Sequence, residues 1–365
     1  DKNKTQNLVK QVGKLKNLIF FNQLGTFYDR TQRLRKLASL VSDQLNLNKE
    51  KVEIASSICK ADLVSDLVGE YPELQGIMGK YFAIEQGFAE DISFAISDHY
   101  LPTGTNSDVP KKPISAAVSV IDKTDNLVGF FGINEKPTSS KDPFALRRTA
   151  IGLLRIITEN NLTIQLKDLI NYSIALYNEQ NLKFSNDSVA KEVLIFLKER
   201  FKNLLKDKKI RSDIIDAVDA SHTGGDFLAL YKKCSIFNKN ISKDICKNIV
   251  GTYKRASNII NQELKNQKEN IVGQPESFLF KKDEEKHLFN KINEIRKYFS
   301  STKRQESYVE TLKILAEAKP ITDNFFDNVI VNDENLDIKK NRLKLLQMFC
   351  KTYNNFIDFS KVEGA

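Results

Sequence analysis

Leu, Ile, Lys, Glu and Asn recur at helical spacing over long tracts of this 365-residue chain, and only 8 prolines and 15 glycines interrupt them. Pro and Gly are the main helix breakers, because one lacks a backbone donor and the other loses the most conformational entropy. Their scarcity predicts an all-α fold. With 41% hydrophobic residues the chain is long enough for two domains, each with its own core.

Two punctuated zones divide the sequence. Residues 101–113 hold three prolines and few apolar side chains and read as a loop. Residues 135–142 contain Pro137 and two serines and immediately precede a helix start, so the boundary is expected there, giving domains at 1–137 and 138–365. In the first domain, helices are expected in 24–45 and 52–68, the latter stopped by Gly69 with a restart near Pro72. Gly76 and Gly79 share one face of the next run, where a neighbouring backbone could approach closely. Residues 114–133 suit a strand as well as a helix; Val118, Ile121, Val128 and Phe131 favour helix. Asp142 is then expected as an N-cap with Pro143 at the first helical position, leading into the stripe Leu146, Ala150, Leu153 and Ile157. Further helices are expected at 188–206, 211–220, 241–266, 283–299, 303–318 and 335–357.

The net charge of +9 is unevenly placed. Residues 1–140 hold 17 Lys/Arg against 17 Asp/Glu, whereas residues 141–365 hold 39 against 30. A basic surplus confined to one region fits a polyanion-binding domain, and it fits a lysine-rich solvated helical surface equally well. The run from Lys198 to Arg211, with seven basic residues and two acids, reads as an exposed basic helix end. Four scattered cysteines without a C-x-x-C pair suit a reduced cytoplasm and argue against a disulfide frame or a zinc ribbon. No signal peptide and no membrane-length apolar stretch is present, so no membrane partner is expected. A start at Asp1 without methionine fits a piece of a longer chain.

Motif arithmetic excludes several enzyme classes. The sequence has no H-E-x-x-H, no phosphate-binding G-x-x-x-x-G-K-[ST] loop, no G-x-G-x-x-G turn and no G-x-S-x-G elbow. Its three histidines, His99, His222 and His287, are isolated and are expected as surface or capping residues.

Three blocks carry a family resemblance. The first is Cys59-Lys60-Ala61-Asp62-Leu63-Val64, continuing through Gly69-Glu70-Tyr71-Pro72-Glu73-Leu74-Gln75-Gly76-Ile77-Met78-Gly79-Lys80-Tyr81. The second is Lys136-Pro137-Thr138 with Lys141-Asp142-Pro143-Phe144-Ala145-Leu146-Arg147-Arg148. The third is Phe325-Phe326-Asp327-Asn328-Val329, then Asn341-Arg342-Leu343 and Asp358-Phe359-Ser360-Lys361. In this order, across nearly the whole chain, they resemble the β subunit of bacterial tetrameric glycyl-tRNA synthetase, in its C-terminal portion.

The resemblance implies a degenerate His-Asp-type helical domain followed by a helical anticodon-binding domain similar to the one ending arginyl-tRNA synthetases. Tyr253-Lys254-Arg255-Ala256-Ser257-Asn258-Ile259-Ile260 resembles that domain's tyrosine-and-arginine helix. Ile249, Tyr253, Ala256, Ile260 and Leu264 would face a core, with Lys254, Asn258, Asn261 and Lys265 outward. The implied role is to bind and position tRNA(Gly) beside the α subunit of an α2β2 glycine–tRNA ligase. Glycine and ATP activation would belong to that subunit, which uses ATP and Mg2+, so no catalytic residue, cofactor or metal is expected in this chain.

Candidate tRNA-binding residues are Arg147, Arg148, Arg155, Lys254, Arg255 and Arg342. Arg147 and Arg148 could instead pair with carboxylates at the domain boundary, and Arg342 with Asp337. Phe325 and Phe326 are expected in the core. The rival reading is a metal-dependent phosphohydrolase, which needs several His and Asp ligands converging on a metal. Asn22 stands where the first histidine would be expected and Lys60-Ala61-Asp62 where the His-Asp pair would be, which leaves one carboxylate there, with His99 and Asp122 as the other ligands that could remain. Asp62 is expected to be a structural hydrogen-bond acceptor. A third reading is an architectural helical module bridging to the α subunit without touching RNA.

Overall fold

The computed structural model describes residues 7–104, 106–221, 225–267, 271–301 and 307–363. It is all-α, as the scarcity of breakers implies; the only sheet among the described residues is a hairpin of β1 (Ile19–Phe21) and β2 (Gly25–Thr26). Among the described residues no helix is long and apolar enough to cross a membrane. The chain forms two compact units, residues 1–204 with 224–228, and residues 205–223 with 229–365.

The first unit begins with α1 (Leu8–Lys14) and the hairpin, then α2 (Phe27–Leu45), α3 (Lys49–Ile58), α4 (Asp66–Glu70), α5 (Ile77–Glu85) and α6 (Glu90–Asp98). It continues with α7 (Pro113–Gly132), α8 (Leu146–Glu159), α9 (Leu166–Glu179) and most of α10 (Asn186–Asp207). Helix α2 starts at a capping box in which Thr26 accepts from the Asp29 N–H and Asp29 accepts from the Thr26 N–H. Helix α7 is the axis of the unit: it is buried from Ile114 to Phe131 except at Asn126 and packs against α2, α6, α8 and α9. Burial on all sides explains a sequence without a clean polar face.

The boundary differs from the expected one at 137/138. Residues 135–142 are a loop within the first unit, because α8 returns onto α7 and α9 packs on both α2 and α7. Helix α8 also starts later than expected. Asp142 accepts from the Leu146 and Arg147 N–H groups at 2.8 and 3.0 Å, so it caps the helix from the preceding turn; the N-cap itself is Ala145, with φ of 52°. Helix α9 was not anticipated from the sequence, nor was the hairpin.

Gly76 and Gly79 are explained by what approaches them. Asp62, in the 3-10 turn Ala61–Val64, accepts from the Gly76 and Gly79 N–H groups at 2.6 and 3.2 Å and so caps α5 from a different element. It is the structural acceptor expected of it. A Cβ at Gly79 would lie 2.6 Å from Ile96 Cγ2 and 3.0 Å from the Asp62 carboxyl carbon, so side chains, not a neighbouring backbone, require the glycine there. Gly79→Ala is expected to lower stability by about 1–3 kcal/mol. Urea unfolding checks this, and an unchanged midpoint would show that α5 shifts at no cost.

The second unit contains α11 (Ser212–Ala220), most of α12 (Phe227–Asn240), α13 (Asp244–Gln267), α14 (Asp283–Ser301), α15 (Tyr308–Ala316), α16 (Lys319–Asn328) and α17 (Leu336–Asn354). Helix α13 packs on α15, α16 and α17, and α14 packs on α16 and α17. Phe237, Tyr253, Tyr353, Phe356 and Phe359 fill its core with tilted and edge-on ring contacts. The last block closes the unit: the Asp358 N–H donates to Ala217 O, and Phe359 is fully buried. The helix expected at 303–318 begins at Tyr308, its first residues lying outside the described ones, and α12 and α16 were not anticipated.

Candidate nucleic-acid interface and buried polar cluster

In the second unit, α13 is held by its apolar side and presents its polar side outward. Ile249, Tyr253, Ala256 and Ile260 are buried, and the Tyr253 hydroxyl accepts from Asn354 Nδ2 at 3.1 Å. Lys254 and Leu264 are half-buried, while Arg255, Asn258, Asn261 and Lys265 are exposed. Arg255 lies over the Phe326 ring, 4.4 Å from guanidinium carbon to centroid, with Asp327 at 3.8 Å. Phe325 is fully buried, as expected; Phe326 is half-buried beneath Arg255. One exposed face therefore combines two cations and two carboxamides.

Arg342 is not part of any such face. It is 3% exposed, and its Nε donates to Glu285 at 2.9 Å while Nη1 donates to Ile330 O at 2.8 Å and to Asp333 at 2.7 Å. Glu285, itself fully buried, also accepts from the Lys281 and Lys282 N–H groups at the start of α14. Asn341 beside it clamps Glu276 through two backbone hydrogen bonds at 2.7 and 3.0 Å. The Asn341-Arg342 pair therefore fastens α17 to α14 and to the preceding loops, which corrects the expectation of RNA contact. Its carboxylate partners are Glu285 and Asp333, not Asp337.

The other three candidates belong to the first unit. Arg147 donates to Thr138 O and lies 3.9 Å from Asp142, so it fastens the 135–142 loop. Arg155 pairs with Glu159 at 2.8 Å on its own helix and reaches Gly104 O at 3.4 Å. Arg148 is exposed. The six candidates are thus divided between the two units. The basic surplus is divided as well: residues 141–204 hold 10 Lys/Arg against 7 Asp/Glu, and residues 205–365 hold 29 against 23.

A buried polar cluster occupies the centre of the first unit. Lys60 Nζ lies 2.7 Å from His99 Nε2 and 3.3 Å from Asp122 Oδ1, and it sits 4.2 Å over the Tyr100 ring. Arg30 donates to Asp122 at 3.0 Å, and Lys123 donates to His99 O, Leu101 O and Ser119 Oγ. His99 is fully buried, which corrects its expected surface position, although it does stand at the C-cap of α6. Of the other histidines, His287 is exposed and His222 lies outside the described residues.

The electrostatics follow from the geometry. His99 Nδ1 lies 3.2 Å from Ala95 O, so a neutral ring donating there leaves the Nε2 lone pair facing the Lys60 ammonium. Burial, and then Lys60, hold that ring well below the ordinary histidine range. Burial alone would raise the Asp122 carboxyl, but the cations Arg30 and Lys60, and then Lys123, hold it well below the carboxylate range. Burial pushes Lys123 down to about 8, opposed by Asp122. An ammonium therefore stands between the two side chains that a His-Asp metal centre would retain. Asn22 is exposed in the β1–β2 turn and contributes nothing to this buried set. Among the described residues no group of three His, Cys, Asp or Glu side chains could hold a metal ion.

Comparison with known proteins supplies the context. The family described as glycyl-tRNA synthetase beta subunit matches residues 1–220, and the DALR anticodon binding domain matches residues 249–363. The glycine--tRNA ligase beta subunit of Clostridioides difficile (strain 630) is 36% identical over 359 residues, covering 98% of this chain and 51% of that protein. That of Rhodospirillum centenum is 35% identical over 354 residues, covering 96% and 49%. That of Rickettsia canadensis is 36% identical over 358 residues, covering 98% and 51%. This chain spans about half the length of the relatives it matches.

Proposed function

Because the chain belongs to the glycyl-tRNA synthetase β-subunit family, we propose that it binds and positions tRNA(Gly) for glycylation on the partner α subunit of an α2β2 ligase in the cytoplasm. The observation that supports this reading most is the outward face of α13, inside the part matched by the anticodon-binding domain, with Lys254, Arg255, Asn258, Asn261 and Lys265 on one side of a helix anchored by Tyr253. The cations hold phosphates, and the carboxamides can bond to the edges of unstacked loop bases. Rate enhancement from this chain is positional: it fixes the tRNA so that the acceptor end meets an activated glycine bound elsewhere. ATP and Mg2+ are assigned to the α subunit, and the chain itself supplies no catalytic group.

The buried cluster of the first unit belongs to stability in this reading. Its Lys60 ammonium fills the place a metal would need, which speaks against the phosphohydrolase alternative. For α13, the double variant Lys254→Ala/Arg255→Ala is expected to weaken tRNA(Gly) binding by about tenfold and to reduce the slope of log K against log salt by about 1–2. Arg255 is exposed and Lys254 half-buried, and neither belongs to the core, so the unfolding midpoint should stay within about 1 kcal/mol of the parent. Filter binding at three salt concentrations, alongside thermal melts, separates these effects. Full retention of affinity would remove α13 from the interface.

A further inference from the structure

One exposed apolar face lies on the first unit and has no role in the tRNA reading. Helix α5 buries Gly79, Phe82 and Ala83 on one side, yet it leaves Ile77, Tyr81 and Ile84 at 44, 53 and 47% exposure on the other. These positions are i, i+4 and i+7, a continuous stripe on one helix face. Two further exposed apolar side chains stand on the segments next to α5. Tyr71, 50% exposed, precedes the 3-10 turn that leads into α5. Val9, 57% exposed, follows Leu8, whose N–H is bonded to Gln86 just beyond the end of α5. Apolar side chains lined up in this way differ from the single exposed ones that any surface carries.

The surroundings select the occupant. Glu70, Glu73 and Glu85 are exposed on the segments that carry the stripe, outnumbering Lys10, exposed beside Val9, and Lys80, which turns its ammonium over the Tyr81 and Phe94 rings. An apolar strip rimmed by carboxylates repels a phosphate backbone and suits a protein segment carrying aliphatic or aromatic side chains flanked by Lys or Arg. Five side chains at about half exposure offer a few hundred Å², well short of the roughly 800 Å² per partner of a stable complex between separate chains. A segment tethered in the same polypeptide needs far less area, because the tether raises its effective concentration to about the millimolar range. The relatives of this chain are about twice its length, so a comparable length of polypeptide accompanies this region in them.

We propose that the α5 stripe is the docking face for a basic-rimmed apolar segment of the same β polypeptide, drawn from the half of its relatives' length that this chain does not span. The face orients the two halves of the subunit. This holds independently of whether α13 binds tRNA.

The test is hydroxyl-radical footprinting of Tyr71 and Tyr81 in this chain and in the subunit extended to its relatives' full length, alone, with the α subunit and with tRNA. Both tyrosines should react in this chain and be protected several-fold in the extended subunit alone. The variant Ile77→Lys/Ile84→Lys should leave the melting temperature of this chain unchanged, lower that of the extended subunit and restore Tyr81 reactivity there. Protection that appears only with the α subunit, or only with tRNA, overturns the proposal, as does reactivity that never changes. A loss of tRNA affinity in Lys254→Ala/Arg255→Ala would leave this outcome untouched, so the two readings fail separately.

Discussion

Arg342→Ala should destabilise the second unit by about 3–5 kcal/mol, the usual cost of leaving a buried carboxylate without its cation. The guanidinium is buried and bonded to Glu285, Ile330 O and Asp333. Removing it strands the Glu285 carboxylate, which keeps only its two backbone donors at the start of α14. An RNA contact would behave in the opposite way, with affinity lost and stability kept. Denaturant unfolding followed by near-UV signals from the Tyr and Phe core separates the two outcomes. An unchanged midpoint with a fall in tRNA affinity would instead make Arg342 an RNA contact. Arg342→Lys should recover little, because a single ammonium cannot serve three acceptors in the planar fork arrangement.

An effect of similar size is expected at the centre of the first unit. Asp122→Ala would leave Arg30 and Lys60 buried without their shared carboxylate, with Lys123 close by, and should cost about 3–5 kcal/mol. Asp122→Asn keeps the shape and loses the charge, so it isolates the electrostatic part. The carboxyl is held below its ordinary range in the folded protein, so the unfolded chain binds more protons in acid. The advantage of the parent over Asp122→Asn should therefore be complete above about pH 5 and shrink as the pH falls below the unfolded carboxylate value near 3.9. Unfolding curves of both proteins between neutral and acid pH check the sign. A difference that grows in acid would contradict the assignment.

Much of this architecture is legible in the residues, and the failures have identifiable causes. Helices α13 and α17 show one apolar and one polar side, so their period is plain. Helix α7 does not, because nearly every position is buried and strand and helix patterns merge. Helix α16 is masked by Pro320, which reads as a break although it sits in the first turn, where a missing N–H costs nothing. Residues 135–142 have the composition of a linker, but composition says nothing about α8 and α9 folding back onto α7.

The sites follow the same logic. Tyr253 and the outward positions of α13 are local properties of one helix and could be read from spacing. Lys60, His99 and Asp122 are brought together from positions 39 and 62 residues apart, which no local pattern encodes. Arg342 and Arg255 look alike as cations on polar helices. Only the distant Glu285, 57 residues away, makes one a buried fastener and leaves the other at the surface.

The most direct test of tRNA recognition is titration of this chain with labelled tRNA(Gly), parent and anticodon-substituted, at low and at near-physiological salt. Binding should be tight to the parent, weaken with salt, and weaken further when the anticodon is changed. Equal affinity for every RNA, or no binding at either salt, would contradict an anticodon-reading role for the second unit.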